Sequence, residues 1–357
     1  MFDLQYHWYR ITPLHLLLLP LSLLFRALAA LRRVLYRSRI LTSKQLAVPV
    51  IVIGNISAGG TGKTPLTLAL AQQLIRHGRH PLIVSRGHGG SAQQPQRVTP
   101  DSDVRQVGDE PLLMARRRLC PVWIGKNRAA AAQAALQANP QCDVVLCDDG
   151  LQHYRLQRDA EIAVIDGARG FGNGFMLPAG PLREPVSRLQ AVDAVVVNVQ
   201  ARFPLPNPLP EGEGANEPLR EFIFDDGEVS TGQYTMRLSG DIFHNLLDPG
   251  KTATAAELRK LRCHAVAGIG HPQRYFRHLA ALGLDIVEHA FPDHHPYRAA
   301  DLSFADCDAI LLTEKDAVKC SAFADERYWV LRVEAQIDPA LTDHILRKIA
   351  HHGSETA

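Results

Sequence analysis

The segment ISAGGTGKTPL, at residues 56–66, constrains the fold of this chain more than any other stretch. It follows VPVIVIGN, an apolar β-branched run that is long enough for a buried strand and too short for a helix. The glycines let successive backbone N–H groups turn inward around an anion, and the N-terminus of a following helix adds partial positive charge. The pattern therefore predicts a strand, a phosphate-binding loop and a helix within an α/β fold.

The loop departs at one position from the phosphate-loop template G-x-x-x-x-G-K-[ST], because Ser57 stands where the first glycine belongs. In that template the lysine, here Lys63, reaches the terminal phosphates of a nucleotide, and the hydroxyl of the next residue, Thr64, binds Mg²⁺. The alternative is a glycine-rich turn whose lysine only caps the surface. We predict a nucleotide site made of the whole loop, which consists of Ser57, Ala58, Gly59, Gly60, Thr61, Gly62, Lys63 and Thr64.

Short apolar runs alternate with helix-forming stretches through the first two thirds of the chain. The runs after the loop are residues 81–85, 121–124, 144–148, 162–166 and 194–198. Helical patterns lie between several of them, notably at residues 65–77 and 128–138. Buried runs alternating with helices predict a parallel sheet that is covered by helices on both faces, as in P-loop NTPases.

The composition changes at residues 202–218, which are rich in Pro, Gly and Glu and are typical of a surface insertion or linker. Strand-like runs then return at residues 264–269, 309–313 and 328–333. We predict three parts: a helical segment at 1–40, a larger α/β domain with the phosphate loop at 41–225, and a smaller C-terminal α/β domain at 226–357. A cleft between the two domains is the expected place for a site.

The N-terminal segment ITPLHLLLLPLSLLFRALAALRRVLYRSR is rich in leucine and arginine. Four arginines follow its apolar part, and Asp3 is the only acidic residue before residue 40. A membrane-spanning helix is disfavoured, because Pro20 and Arg26 interrupt the apolar run. The composition favours a helix in the membrane interface with arginines facing anionic head groups, although a buried core helix is an alternative.

Charge and cysteine content exclude other classes of protein. The formal net charge of +2 gives no reason to expect a nucleic acid as partner. The six cysteines contain no C-x-x-C pair, so a disulfide framework or a zinc site is not expected. Nothing in the sequence identifies a protein partner.

Acidic residues follow one of the predicted buried strands, in VVLCDDGLQH. Asp148 and Asp149 stand at its carboxyl end, the edge at which α/β sheets bind ligands. Asp148 is expected to hold Mg²⁺ directly or through water, with Asp149 beside it. The alternative is a pair of solvated acids that cap the next helix.

Transfer of a phosphoryl group to a hydroxyl also needs a group that takes or orients the proton of the acceptor. VGDEP offers Asp109 in a Gly- and Pro-framed loop, and FPDHHP offers His294 beside Asp293. A carboxylate paired with an imidazole is a plausible base. SRGHGG exposes Arg86, and LPAGPLREP presents Arg183 and Glu184, although ordinary turn chemistry explains both loops equally well.

Taken together, the basic apolar N-terminal helix and the segments GGTGKTP, SRGHGG, GDEP, DDGLQH, GPLRE, FPDHH and LTEKDAVK resemble the lipid A 4′-kinase (tetraacyldisaccharide 4′-kinase) family. The segments run in order to about residue 320. The resemblance implies a P-loop NTPase-like kinase that uses ATP and Mg²⁺. It would phosphorylate the 4′-hydroxyl of tetraacyldisaccharide 1-phosphate, a lipid substrate, as a peripheral or monotopic protein at the cytoplasmic face of the bacterial inner membrane.

The resemblance also implies roles for individual residues. The phosphate loop would bind ATP, and Asp109 would act as the base on the sugar hydroxyl. A histidine of the second domain would pair with Asp109; we assign His294 to that role, with His271 in reserve. The acids around Mg²⁺ would be Asp148, Asp149 and Glu184, and the residues that contact substrate or phosphate would be Arg86 and Arg183.

Two features depart from the family pattern: His88 replaces the usual tyrosine of the SRGYG segment, and the 202–218 insertion is long and rich in proline. Two other functions remain open. A membrane-bound P-loop ATPase of the partitioning or targeting type would need an early signature lysine, where this chain has Ser57 and Ala58. A nucleoside or cofactor kinase would leave the N-terminal arginines unexplained.

Overall fold

The computed structural model describes residues 7–9, 12–199, 232–350 and 352 of the 357-residue chain. The expected insertion at 202–218 and the expected domain boundary at 225 lie outside these residues. The strands are β1 (Val50–Gly54), β2 (Pro81–Ser85), β3 (Gln96–Val98), β4 (Val122–Ile124), β5 (Val144–Asp148), β6 (Ala160–Asp166), β7 (Ala194–Asn198), β8 (Gly232–Ser239), β9 (Ile242–Asn245), β10 (Thr252–Thr254), β11 (Cys263–Ala267), β12 (Ile286–Ala290), β13 (Ala309–Thr313), β14 (Tyr328–Leu331) and β15 (Glu334–Ile337).

The helices of the same residues are α1 (Leu14–Arg37), α2 (Lys63–Arg76), α3 (Val104–Val107), α4 (Asp109–Arg116), α5 (Arg128–Ala138), α6 (Ala255–Leu258), α7 (Pro272–Ala281), α8 (Glu314–Cys320) and α9 (Pro339–Ile349). The described residues also include two short 3₁₀ helices, at Val186–Ala191 and Ala299–Leu302.

The larger sheet has nine strands among the described residues, in the order β15-β8-β7-β6-β1-β5-β2-β4-β3. Its central strands are parallel, and an antiparallel strand closes each edge. Buried apolar side chains pack on both faces: α2, α4 and α9 cover one, and α5 with part of α1 covers the other. The predicted α/β sheet of the P-loop NTPase type is confirmed, because runs of fully buried strands need cover on both sides.

The smaller sheet has six described strands, in the order β10-β9-β14-β13-β11-β12. Its members lie between Ile242 and Leu331, whereas β8 and β15 pair with each other in the larger sheet. The smaller unit is therefore narrower than the expected 226–357. The chain leaves the larger sheet after β8 and returns to it at β15, and short polar edge strands give no local signal of the sheet they join.

Helix α1 is anchored along one side and exposed along the other. Ser22 is buried, and its Oγ donates a hydrogen bond to the carbonyl oxygen of Met176 at 2.8 Å. Leu16 and Leu17 are each 76% exposed. By length and composition α1 is able to cross a membrane, and only 11% of its most apolar 18-residue window is buried. The alternative of a buried core helix does not fit this exposure.

Candidate active site

The phosphate loop lies between β1 and α2, as predicted. Gly59 and Gly62 adopt φ values of 104° and 98°, which favour glycine. Ser57 lies in an antiparallel bridge with Leu182, and the N–H of Ala58 donates to the carbonyl oxygen of Pro181 at 2.7 Å. An extended residue needs no positive φ, so serine is accommodated where the template has glycine.

Two carbonyl groups of the loop are held from the carboxyl ends of β6 and β7. The carbonyl oxygen of Gly60 accepts from Arg169, whose Nε is 3.0 Å from Oδ2 of Asp166. The carbonyl oxygen of Thr61 accepts a hydrogen bond of 3.0 Å from Nδ2 of Asn198, which is fully buried. These contacts hold the loop through the carbonyl groups of Gly60 and Thr61.

Arg274, on α7 of the smaller unit, closes this arrangement. Its guanidinium donates to Oδ1 of Asn198 at 3.2 Å and lies 3.5 Å from Oδ2 of Asp166. We call Asp166, Arg169, Asn198 and Arg274 the loop clasp. The sequence interpretation missed it, although Asp166 and Asn198 end apolar runs, which is the signal that pointed to Asp148.

The pKa values of the two acids at the carboxyl end of β5 are shifted in opposite directions. Asp148 is fully buried; burial, Glu110 and Asp149 raise its pKa to about 7. Its Oδ1 accepts from Thr67 at 3.1 Å, and its Oδ2 has no hydrogen-bond partner among the described residues. Burial also raises the pKa of Asp149, but Lys63 and the nearby arginines outweigh it and lower that pKa to about 2. Lys63 Nζ is 3.5 Å from Asp149 Oδ1.

Glu184 lies next to the entrance of the loop, where its backbone N–H donates to the carbonyl oxygen of Ile56. The described contacts of its carboxylate are with Tyr154, which donates at 2.9 Å, and with Arg188, at 3.2 Å. They do not include the acids after β5. Among the described residues, no group of three or more His, Cys, Asp or Glu side chains is arranged to hold a metal ion.

A group of cations surrounds Asp149. Arg183 lies 3.4 Å from its Oδ1, and the buried Arg128 donates to its carbonyl oxygen at 3.4 Å. Burial, Arg128 and Arg86 lower the pKa of His153 to about 3, so this imidazole is neutral. The sequence interpretation found Arg86 and Arg183 but not Arg128 or His153. An arginine at the start of an alanine-rich helix carries no motif that would single it out.

Asp109 and His294 meet between the two units. Nδ1 of His294 is 2.9 Å from Oδ2 of the buried Asp109, which begins α4. Burial raises the pKa of Asp109, but the hydrogen bond from His294 and the charge of Lys315 outweigh it, so the pKa is lowered. The same hydrogen bond raises the pKa of His294. His271 precedes α7, and its described contacts do not include Asp109.

The ring of His88 lies against His294, with 5.2 Å between centroids and an edge-on geometry. An aromatic ring thus contacts the Asp109–His294 pair at the position where the family pattern has tyrosine. Arg86, two residues earlier, is exposed.

Comparisons with known proteins agree with one another. A family model described as Tetraacyldisaccharide-1-P 4′-kinase matches residues 14–350. Among similar proteins, the tetraacyldisaccharide 4′-kinase of Azoarcus sp. (strain BH72) is 49% identical over 97% of this chain and 95% of that protein. The tetraacyldisaccharide 4′-kinase of Chromobacterium violaceum is 45% identical over 98% of this chain and 99% of that protein.

A similar fold occurs in a crystal structure described as the "apo" form of LpxK from Aquifex aeolicus in complex with ATP. It matches with a TM-score of 0.76 and 27% sequence identity, over 94% of this chain and 99% of that chain.

Proposed function

The chain belongs to the tetraacyldisaccharide 4′-kinase family, and on that premise we propose how its residues carry out the reaction. It is an ATP-dependent kinase of lipid A biosynthesis that phosphorylates the 4′-hydroxyl of tetraacyldisaccharide 1-phosphate. The resemblance read from the sequence motifs is confirmed, and the ATPase-switch alternative is not favoured. The observation that carries the mechanism is the Asp109–His294 contact.

The phosphate loop binds ATP in this proposal. Its N–H groups surround the phosphates, since the loop clasp engages the carbonyl groups of Gly60 and Thr61. Lys63, which contacts Asp149, turns to the terminal phosphates when ATP enters. The half-buried Thr64 follows Lys63 in the first turn of α2.

The acids of the site fit Mg²⁺. Asp148 carries a buried carboxylate oxygen without a hydrogen-bond partner, and carboxylate, hydroxyl and phosphate oxygens are the ligands Mg²⁺ prefers. Thr64, Asp148 and Asp149 would hold it, and it would neutralise charge on the transferring phosphoryl group. Glu184 also has a buried oxygen, Oε2, without a hydrogen-bond partner among the described residues, but its charge is paired with Arg188 at 3.2 Å and its Oε1 accepts from Tyr154.

Asp109 takes the proton of the 4′-hydroxyl. Its pKa is below the usual range, so the carboxylate is ionised at neutral pH. As the sugar oxygen forms its bond to the γ-phosphorus, the bond to the β,γ-bridging oxygen breaks and ADP leaves. The proton passes to a carboxylate oxygen of Asp109, and His294 orients that carboxylate through the 2.9 Å contact.

The arginines around Asp149 bind phosphate. Arg86 is exposed, and Arg183 and Arg128 flank the acid. Their combined charge suits the 1-phosphate of the sugar or the phosphates of ATP, which are chemically alike. Binding of the 1-phosphate by these arginines is tested by comparing phosphoryl transfer to the substrate with transfer to its 1-dephospho analogue.

The exposed side of α1 docks on the cytoplasmic face of the inner membrane. A substrate with four acyl chains does not leave a bilayer readily, because each buried CH₂ contributes about 0.8 kcal/mol. The exposed leucines suit the acyl region, and the arginines after them suit anionic head groups. We propose a peripheral or monotopic attachment in which the lipid stays in the bilayer and its sugar head group enters the site.

The test is transfer of radiolabelled γ-phosphate from ATP to tetraacyldisaccharide 1-phosphate in detergent micelles, with a control that lacks lipid. We expect lipid-dependent labelling that requires Mg²⁺ and is lost in Asp109→Ala. Phosphate release without labelled lipid would contradict the kinase mechanism. Near-normal turnover of Asp109→Ala would contradict the assignment of the base.

A further inference from the structure

Lys315 lies at the centre of the charged groups around the Asp109–His294 pair. It stands in the first turn of α8, and its side chain is 17% exposed. Nζ is 3.2 Å from Oδ1 of Asp293, 3.4 Å from Nε2 of His294, 3.6 Å from Oε1 of Glu110 and 3.9 Å from Oδ2 of Asp109. No role followed for it from the sequence, where it appeared only within LTEKDAVK.

We propose that Lys315 is a positioning residue of the kinase reaction: it keeps the proton of His294 on Nδ1 and opposes a second proton on that ring. The proposal rests on the role of Asp109 as the base. It assigns to the smaller unit two contributions to the chemistry, the imidazole and the cation that orients it.

The donors and acceptors of the two side chains determine the direction of the Lys315–His294 hydrogen bond. A lysine ammonium has donors and no acceptor, so in the 3.4 Å contact Nε2 of His294 accepts from Lys315 and carries no proton; Oδ2 of Asp293, 3.8 Å from Nε2, is beyond hydrogen-bond distance. The ring proton of the neutral imidazole therefore lies on Nδ1, which faces Oδ2 of Asp109 at 2.9 Å. Asp109 thus receives a donated hydrogen bond throughout, and its Oδ1 accepts from the N–H of Glu110 at 2.9 Å.

The charges around the pair act on His294 in opposite directions, and the net shift of its pKa is upward. Burial lowers the pKa of Lys315, but Glu110, Asp109 and Asp293 outweigh it, so its pKa is raised and it remains an ammonium. Asp109 raises the pKa of His294, whereas Lys315 acts in the opposite direction. The titratable or charged groups that face the pair are Glu110 on α4, His88 after β2, Asp293 in the His294 loop, and Lys315, Asp316 and Lys319 on α8.

The same contacts determine where the proton goes. In this arrangement Nδ1 of His294 already carries a proton and Nε2 accepts from Lys315, so neither ring nitrogen is open to the proton taken from the 4′-hydroxyl, which stays on Asp109. It leaves to water when the product departs.

The buried carboxylate of Asp316 links the start of α8 to the segments that flank the His294 loop. Asp316 is fully buried; its Oδ2 accepts from the N–H of Gly268, and its Oδ1 accepts from the hydroxyl of Tyr297. Its own N–H donates to Oγ1 of Thr313, which caps α8. The start of α8, which bears Lys315, is thereby tied to the segments that flank the His294 loop.

The test is the pH profile of kcat/KM for the lipid substrate in the full-length enzyme. In Lys315→Met, loss of the cation raises the pKa of the Asp109–His294 pair. We therefore expect the acid limb of the profile, where kcat/KM falls as the pH is lowered, to move to higher pH by about one unit. Lys315→Arg keeps the charge and should leave the limb near its original position. Lys260→Met, which removes an exposed lysine at the end of α6, is the matched control.

If Lys315→Met loses activity equally at every pH and its acid limb does not move, the proposal is overturned and Lys315 has only a structural role. ATP affinity and thermal unfolding establish that the variant is folded. Near-normal turnover of Asp109→Ala would overturn the assignment of the base and, with it, this inference. If Asp109→Ala is inactive but the acid limb of the pH profile does not move in Lys315→Met, this inference alone is overturned.

Long-range proton–nitrogen NMR of histidine-labelled wild-type protein tests the same point whether or not Lys315→Met folds. His294→Asn assigns the signal. A proton on Nδ1 of His294 supports the proposal, and a proton on Nε2 overturns it.

Discussion

Nδ1 of His294 lies 2.9 Å from Oδ2 of Asp109, although the two residues are 185 positions apart in the chain. Asp109 begins α4 of the larger unit, and His294 follows β12 of the smaller one. His294 adopts a φ of 61°, in the left-handed region that non-glycine residues seldom enter. The contact assembles an acid–imidazole pair from one residue of each unit.

We expect Asp109→Ala to lower kcat by about 10²- to 10⁴-fold, the usual contribution of a positioned base. ATP affinity should change little, because no described contact joins Asp109 to the phosphate loop. His294→Ala should have a smaller effect, since it acts through Asp109. The measurements are single-turnover transfer and equilibrium ATP binding; equal losses of both in Asp109→Ala would indicate a structural role instead.

Lys63→Ala should lose both ATP affinity and transfer. A hydrogen bond to a charged group contributes about 1.5–3 kcal/mol, so we expect ATP binding to weaken about tenfold or more. Arg79→Ala is a suitable control, because that arginine pairs with Asp143 at the opposite end of β5. Unchanged ATP affinity in Lys63→Ala would show that the loop binds phosphate without its lysine.

The larger sheet was predictable because its strands are short apolar runs and its helices lie between them. The predicted runs at 81–85, 144–148 and 194–198 coincide with β2, β5 and β7. The meeting of Asp109 with a histidine of the smaller unit was expected from the family resemblance, not from spacing. Contacts between residues this far apart leave no mark on local patterns.

The return of β8 and β15 to the larger sheet was not predictable. Apart from the buried Met236, their residues are exposed or half-buried and do not form the continuous apolar runs of the central strands. The loop clasp was missed for another reason: Arg169 and Arg274 lie outside the glycine-rich motif. The fold alone brings them to their partners, which are the carbonyl oxygen of Gly60, the amide of Asn198 and the carboxylate of Asp166.

Ser57→Gly restores the phosphate-loop template and tests whether the first glycine matters here. Because Ser57 is extended and bridges Leu182, glycine offers no conformational advantage. We expect the KM for ATP to change less than about twofold, and the free energy of unfolding to fall by up to about 1 kcal/mol from the greater chain entropy of glycine. A large gain in ATP affinity would mean that Ser57 distorts the loop.

Substitution of exposed leucines on α1 tests membrane docking. Leu17→Glu with Leu24→Glu removes side chains that are 76% and 55% exposed, so their loss should not affect packing within the chain. We expect weaker binding to vesicles that contain anionic lipid, with ATP affinity in detergent unchanged. Leu247→Glu, at a residue of 56% exposure in the smaller unit, is the matched control. Equal vesicle binding by all three proteins would contradict docking through α1.

Arg274→Ala tests whether the loop clasp prepares the phosphate loop for ATP. The guanidinium of Arg274 joins Asn198 to Asp166, and Asn198 in turn holds the carbonyl oxygen of Thr61. Without Arg274 the loop must be ordered by ATP itself, which costs about 1 kcal/mol and raises the KM for ATP about fivefold.

Because the clasp holds the loop equally in the bound and transition states, kcat of Arg274→Ala should stay near its original value. Arg277→Ala, one turn along α7, removes an exposed arginine whose described hydrogen bond is to the carbonyl oxygen of Gln273. It should leave the KM for ATP unchanged. If Arg274→Ala instead lowered kcat at an unchanged KM, Arg274 would contact the transferring phosphoryl group itself, and the clasp would be part of the catalytic surface rather than its support.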